Sequence, residues 1–386
     1  TSLKMSVQKS VTNVGVQELS ALANLTELSL SLTQSSSRSR ATDAGFSYIS
    51  NLKHLQSITI ENGDVTDAIL SEIAKLTNLT YLSLHNTLIT DAGTKEISKL
   101  TTLSSLDLTA TKITDAGAKD IIKITNLSSL KLNRTKVSDD GLQNIGKLSG
   151  LTNLELDYTG VSDAAFKDIG SFHKLTLLRL PLSAITDNLI KNLIDNHLMA
   201  ALQQVAKKQD SSRFSKDEEI DRLDLKSTNI TDSVLKDIAK LTNLTVLNLK
   251  STKITGSGLK DIAKLTNLTI LDLSETKVTD TGLKELATHS KLKELYLSDT
   301  LVTDVGIKDL AFLAELPWLT LTLSGTSLTD AGVKDLVKLT NLTWLDIGST
   351  KVTDSGVKDL TKLTKLGWLN LSNTKVTDSG LIELTK

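Results

Sequence analysis

A spacing of 24 residues governs this chain. Asp67, Asp91, Asp115, Asp139, Asp163 and Asp187 follow it, the interval resumes with Asp232, Gly256, Asp280 and Asp304, and it resumes again with Asp330, Asp354 and Asp378. Self-similarity at a fixed period of this size means that one short unit is repeated and stacked, each copy burying its apolar surface against its neighbours. A stacked array grows by adding coils and not by enlarging one core, so the number of domains usually inferred from length does not apply to these 386 residues. One elongated array is expected.

Each unit has two halves. In the first, Leu244, Leu247, Leu249, Thr252 and Ile254 alternate with polar residues across their centre, the pattern of a short half-buried strand. In the second, Asp354, Gly356, Val357, Leu360 and Leu363 space their apolar members by three, which predicts a helix of two to three turns with one buried face. Stacking such coils aligns the strands into a parallel sheet and the helices into an outer layer, and because helices are wider than strands the stack should curve.

The strand half reads L-x-x-L-x-L-x-x-T-x-[IV] and resembles the leucine-rich repeat family, whose signature is L-x-x-L-x-L-x-x-N/C-x-L. The resemblance spans residues 16 to 386 apart from one insertion. It implies an α/β solenoid, a right-handed horseshoe with the parallel sheet on the concave face and helices on the convex face. The variant with Thr at the ninth position and T-D-x-G-L opening the helix is similar to 24-residue repeats common in bacterial proteins and to those of F-box substrate receptors. In place of the family's Asn ladder stands a threonine column, including Thr87, Thr111, Thr252, Thr276 and Thr350, able to bond backbone groups where the chain leaves each strand.

The register divides the chain. Residues 1–24 read as a degenerate N-terminal coil, matching the pattern only from Val11 to Gly15. Residues 25–187 are regular repeats with a Ser/Arg-rich loop at 34–40, read as a mobile loop or else a partner or phosphorylation segment. Residues 188–219 are an insertion. There Leu189, Ile190, Leu193, Ile194, Leu198, Ala201, Leu202 and Val205 keep helical spacing, so one long helix followed by a charged loop is expected, serving as a tolerated insertion or as a binding or hinge element. Residues 220–386 are regular again, except for two extra residues near Leu316-Pro317-Trp318, with a C-terminal cap that is short or missing.

Composition excludes several functions. Basic and acidic residues balance at 44 and 45, so no general field attracts nucleic acid or an anionic membrane. No cysteine is present, which removes thiol nucleophiles, zinc–cysteine sites and disulfide-bonded end caps. No apolar run approaches the ~20 residues of a membrane span, and no signal sequence opens the chain. The compartment is therefore left between cytoplasmic and secreted bacterial. Five scattered histidines carry no metalloprotease, nucleophile-elbow or phosphate-loop motif. No cofactor, metal or catalytic residue is expected, and the chain is read as not an enzyme.

Three periodic features invite a chemical reading beside a structural one. The aspartate column can bind cations, or each Asp, or the Thr before it, can cap its helix; capping would also account for Gly256. The column Thr66, Thr90, Thr114, Thr231, Thr255, Thr279, Thr353 and Thr377 resembles the threonine arrays of some ice-binding proteins. His85, with Glu61 one coil before and Asp107 one coil after, forms a candidate acid–base or metal cluster, or is simply solvated. The sequons at Asn78, Asn243, Asn267 and Asn341 fall where the repeat itself generates N-L-T.

The sheet face carries the functional signal. Residues at the third and fifth positions of each coil point away from the buried leucines. Before the insertion the third column is Glu27, Ser57, Tyr81, Ser105, Ser129, Asn153 and Leu177; after it, Arg222, Val246, Ile270, Glu294, Thr320, Trp344 and Trp368, beside a fifth column containing Asp272, Tyr296, Asp346 and Asn370. Aromatics are 3% of the chain, yet two of its three tryptophans stand in adjacent coils of one column. Such rings among acids and amides suit a binding hot spot, or else they cover the end of the core. The expected function is a monomeric, non-enzymatic protein-binding scaffold. It would hold a protein or peptide on the concave face through Trp344, Trp368, Tyr296, Ile270, Val246, Arg222, Asp272, Asp346 and Asn370. The alternative is a structural or adhesive cell-surface repeat protein.

Overall fold

The computed structural model describes residues 3–8, 12–32, 41–167, 169–206 and 220–385. Two compact units emerge, one of residues 1–184 with 195–205 and the other of residues 185–194 with 206–386. The first holds an eight-stranded parallel sheet from Leu3–Gln8 to Leu177–Arg179, and the second a seven-stranded parallel sheet from Arg222–Asp224 to Trp368–Asn370, each with its strands in sequence order. Among the described residues no helix is long and apolar enough to cross a membrane.

Within a coil the elements follow from the residue pattern. Leu244, Leu247, Leu249, Ile254, Leu259 and Ile262 are all fully buried, and burying each such side chain is worth about 1.5–3 kcal/mol. The strand between them is only three residues, Val246–Asn248. The helical half is shorter and tighter than its spacing predicts. Asp91–Ile97 and Asp354–Leu360 make two turns of α-helix, whereas Asp43–Phe46 and Asp163–Phe166 are single 3₁₀ turns.

Where each strand ends the chain must turn sharply. The residue just before each ninth-position Thr is left-handed: Asn86, Ala110, Arg134, Tyr158, Ser227, Ser251, Glu275, Asp299, Ser349 and Asn373 have φ between 52° and 59°, and Gly325 has φ 71°. Most of these residue types adopt that conformation at a cost of about 1–2 kcal/mol. The following Thr offsets it. Its hydroxyl donates to the carbonyl three residues earlier at each of these eleven threonines from Thr87 to Thr374, at 2.5–2.7 Å, and Thr252 to Leu249 is one of these. The threonine column thus does what its position suggested.

Of the two capping alternatives for the T-D-x-G motif, the threonine one holds and the aspartate one does not. The helix cap is the Thr, whose Oγ1 accepts from the backbone N–H two residues on, as Thr90 does from Ala92 and Thr353 from Ser355. The Asp instead reaches the next coil. Its Oδ1 accepts the backbone N–H of that coil's Thr or Ser at 2.6–2.9 Å and its Oδ2 accepts the hydroxyl at 2.5–2.7 Å. These rungs run from Asp43 to Ser162 in the first unit and from Asp187 to Thr377 in the second. They leave no room for a side chain at the motif's Gly: a Cβ at Gly93 would lie 2.4 Å from Asp67 Oδ1, and one at Gly356 2.5 Å from Asp330 Oδ1.

Gly256 is consequently a missing rung and not a substitute cap. Thr279 has no aspartate acceptor and makes no side-chain cap bond; its hydroxyl meets that of Thr281 at 3.1 Å. The backbones close the gap, so that a Cβ on Gly282 would stand 2.6 Å from Gly256 Cα.

Two segments are irregular. The degenerate N-terminal coil contributes a strand of its own, Leu3–Gln8, which pairs with the next one with a register shift after Leu3. The insertion carries two helices, Asp187–Asp195 and Met199–Ala206, in place of one. His197 between them is left-handed at φ 56°, the conformation that ends helices. Leu189, Ile190, Leu193, Ile194, Leu198, Ala201, Leu202 and Val205 are nevertheless all buried. The Ser/Arg-rich loop at 34–40 and the charged loop from 207 to 219 lie outside the described residues.

Two outcomes test the rungs. Asp91→Ala strands Thr114 N–H, Thr114 Oγ1 and Gly117 N–H, bound at 2.8, 2.6 and 3.0 Å, and should lower stability by about 1–3 kcal/mol in urea melts; an unchanged midpoint would show the rung to be dispensable. The second concerns acid. The Thr377 hydroxyl, then the Thr377 and Gly380 backbone N–H groups, hold the Asp354 carboxyl below its ordinary value. A depressed native pKa means that this rung's contribution is complete at neutral pH, starts to fail below about pH 4, and is gone once pH passes under the lowered value. Unfolding midpoints measured from neutral to strongly acidic pH should show that acid component in the parent and lack it in Asp354→Asn.

Candidate functional site

With caps, rungs and turns satisfied by the repeat's own polar residues, the third column of the second sheet is the surface left to chemistry. Register places its members side by side: Arg222 against Val246, then Ile270, Glu294, Thr320, Trp344 and Trp368 in succession. The two extra residues near Pro317 do not disturb this order, because the 3₁₀ stretch Leu310–Glu315 and a register shift before Thr320 absorb them.

Trp344 and Trp368 are 42% and 36% exposed. Their strand neighbours Leu345 and Leu369 point to the opposite face, so the rings stand on the side of the sheet away from the core. The rings stack on each other, centroids 3.8 Å apart and planes within 12°. A near face-to-face pair brings two negative π faces together, a less favourable arrangement than an offset stack.

The fifth column is less free than expected. Asp272 Oδ1 accepts Ser274 N–H at 2.9 Å and Asn370 Oδ1 accepts Ser372 N–H at 2.9 Å. Asp346 Oδ1 takes both Gly348 N–H at 2.9 Å and Asn370 Nδ2 at 3.0 Å. These turns onto the chain's own backbone fix the side chains and commit one oxygen of each. Tyr296 donates its hydroxyl to the Glu294 carboxylate; burial first, then that bond and the charges of Glu294 and Asp272, push the phenol well above its usual range. Ile270 and Val246 are half-buried, and Arg222 is exposed. The structure therefore brings Trp344, Trp368, Asp346 and Asn370 together at one end and Asp272, Glu294 and Tyr296 a few strands away, with Arg222 and Val246 at the far side of the same sheet.

Other candidates are accounted for structurally. In the threonine column that resembled an ice-binding array every hydroxyl but that of Thr279 is donated to an aspartate, leaving no free hydroxyl plane, and the aspartates are occupied by the same bonds. Asp107 stands in register with Ser83, not His85, and accepts Thr109 N–H at 2.9 Å. No group of residues that could hold a metal occurs among the described residues. The sequon asparagines Asn78, Asn267 and Asn341 donate the amide nitrogen that would carry a glycan to backbone carbonyls of the preceding coil, and Asn341 is 3% exposed.

Two residues escaped the sequence reading. His289 is fully buried, its ring nitrogens 3.0 and 3.2 Å from the carbonyls of Leu286 and Ile262, and burial pushes its pKa down. The signal was present: His289 stands where the repeat places Leu265 one coil earlier. Trp318, read only as part of an irregularity, is exposed and carries the Lys293 ammonium 5.4 Å over its ring.

Comparison with known proteins agrees with this architecture. A family model for a leucine-rich repeat region matches residues 64–222, and a second leucine-rich repeat model matches 240–263, 264–287 and 338–360. A leucine-rich repeat protein of Leptospira interrogans is 22% identical, covers 98% of this chain and 92% of its own, and superposes with a TM-score of 0.53. The plant peptide hormone receptor RGFR1, solved in complex with RGF2, is 18% identical over 93% of this chain and 61% of its own, with a TM-score of 0.51. An internalin of Listeria monocytogenes is 23% identical over 94% and 90% of the two chains, at a TM-score of 0.41. No curated protein matches the chain.

The ring geometry has a direct spectroscopic consequence. Tryptophans stacked this closely should give an exciton couplet in circular dichroism, and either Trp344→Phe or Trp368→Phe should abolish it while Trp318→Phe leaves it; a spectrum unchanged by all three would contradict the stack.

Proposed function

The chain belongs to the leucine-rich repeat family, and from that premise we propose that it is a non-enzymatic scaffold that binds a protein or peptide through the sheet face of its second unit. One observation carries this reading. In a chain with only three tryptophans, two are held side by side, solvent-facing, on the side of the strands that packs against nothing in the core. Large rings in that position contribute little to folding and much to an interface, where tryptophan is the commonest anchor. Asp346 and Asn370, locked to each other and to their own turns, add polar groups whose orientation is set before any partner arrives, which lowers the entropy lost on binding. That the similarly folded plant receptor is itself solved in complex with RGF2 is consistent with use of such an array for recognition.

A structural or adhesive role fits less well. It would favour uniform columns along the whole array, whereas Ser105 and Ser129 line the first sheet where Trp344 and Trp368 line the second.

The test is capture of partners from native lysate or culture medium by the intact chain against Trp344→Ala and Trp368→Ala. Either substitution should weaken binding of the captured partner by about 2 kcal/mol or more, with a near-parental unfolding midpoint, while Ser105→Asp should matter less. A strong loss of stability with undiminished capture would make the rings a cover for the core and move the binding site elsewhere.

A further inference from the structure

We propose that the partner presents cationic side chains to this face, an arginine or lysine on the Trp344–Trp368 pair and a second cation at Glu294 and Asp272. This deepens the scaffold reading and rests on it. Charge distribution points there first. From Asp272 to Asn370 the third and fifth columns carry Asp272, Glu294 and Asp346 and no basic residue. The chain as a whole is almost neutral, with 44 basic and 45 acidic residues, so this is a local acidic surface and not a consequence of net charge.

The aromatic geometry points the same way. A π face attracts cations; the faces that Trp344 and Trp368 turn to each other at 3.8 Å admit none, so a cation would meet an outward face of the pair, beside the Asp346 carboxylate two residues along the strand from Trp344. The protein already uses this chemistry on the adjoining coils. The third tryptophan, Trp318, has the Lys293 ammonium over its ring at 5.4 Å, whereas among the described residues no cation stands over Trp344 or Trp368. Asp346 directs Oδ1 to its own turn and to Asn370, and Glu294 holds Tyr296 with Oε2. Each carboxylate keeps an oxygen for a guanidinium or ammonium.

Spacing then limits the partner. Trp344 and Glu294 lie two strands apart in the same column, about 10 Å at the usual strand separation. Three residues of polyproline-like chain span about 9 Å and bring the side chain back to the same face, so basic residues three apart in a short segment match the two sites.

The experiment uses the full chain and three eight-residue Ser/Gly peptides with two arginines, two citrullines or two glutamates placed three residues apart, followed by tryptophan fluorescence at low salt. Citrulline keeps the shape and hydrogen bonding of arginine without its charge. The arginine peptide should bind, and should weaken about tenfold or more with citrulline, in Asp346→Asn with Glu294→Gln, and in Trp344→Ala, as expected for loss of a cation–π contact and its flanking carboxylates; the glutamate peptide should not bind. Asn keeps the oxygen that accepts Gly348 N–H, and melting curves confirm that each variant is folded. Citrulline binding as tightly as arginine, yet lost in Trp344→Ala, overturns the charge assignment while leaving the tryptophan platform. Arginine binding that survives Trp344→Ala overturns both, and no arginine binding up to millimolar concentration overturns the cationic partner alone, since the capture experiment tests the scaffold independently.

Discussion

The bidentate hold of one coil's aspartate on the next coil's threonine is the interaction on which this architecture depends. Strand hydrogen bonds align the coils along the sheet, but they reach only one side of each unit. On the helical side the short helices have few turns in which to interlock, and the Asp91-to-Thr114 type of contact supplies a directional, charge-assisted link there. One contact explains three conserved-looking letters of the period at once. Thr both caps its own helix and offers N–H and hydroxyl backward, Asp accepts both, and Gly leaves the space in which the carboxylate lies.

That economy determines where function can be. The ninth-position hydroxyls are spent on the left-handed turns, the T-D-x-G polar groups on the rungs, and the sequon asparagines Asn78, Asn267 and Asn341 on the preceding coil's carbonyls. Even at the fifth strand position Asp272, Asp346 and Asn370 each give an oxygen to their own backbone. The third position takes no part in the turn and rung bonds, and its residues differ between the two sheets. A tryptophan there is therefore informative in a way that a threonine or aspartate at a ladder position is not.

The break at Gly256 shows how the array tolerates local loss. Without the carboxylate, the backbones of Gly256 and Gly282 approach closely enough to exclude a side chain, exchanging a polar link for direct packing. His289 occupies a leucine site one coil on, satisfied by carbonyl oxygens. These two departures from the consensus lie in neighbouring coils, each compensated by the backbone around it.

Much of this was legible in the 24-residue period. The strand and helix halves, the buried leucine columns, the Thr turn bonds and the solvent-facing placement of Trp344 and Trp368 all follow from periodicity, because alternation and three-residue spacing are properties of a single coil. What the sequence could not reveal is whatever depends on a second coil's position. Asp91 looks like a helix cap when read along the chain and becomes a strut only when Thr114, 23 residues away, lies against it. The near face-to-face stack of the tryptophans, the commitment of Asp346 to Asn370 and the break at His197 are likewise settled by distances and backbone angles that residue type leaves open. Ala, Arg, Tyr and Glu all serve at the left-handed turn position, so composition carried no signal for it. Periodicity by itself determined which residues are inside and which are out; the tertiary structure decided which of the outward ones hold each other and which remain to hold something else, since hydrogen bonds between coils depend on contact geometry and not on order along the chain.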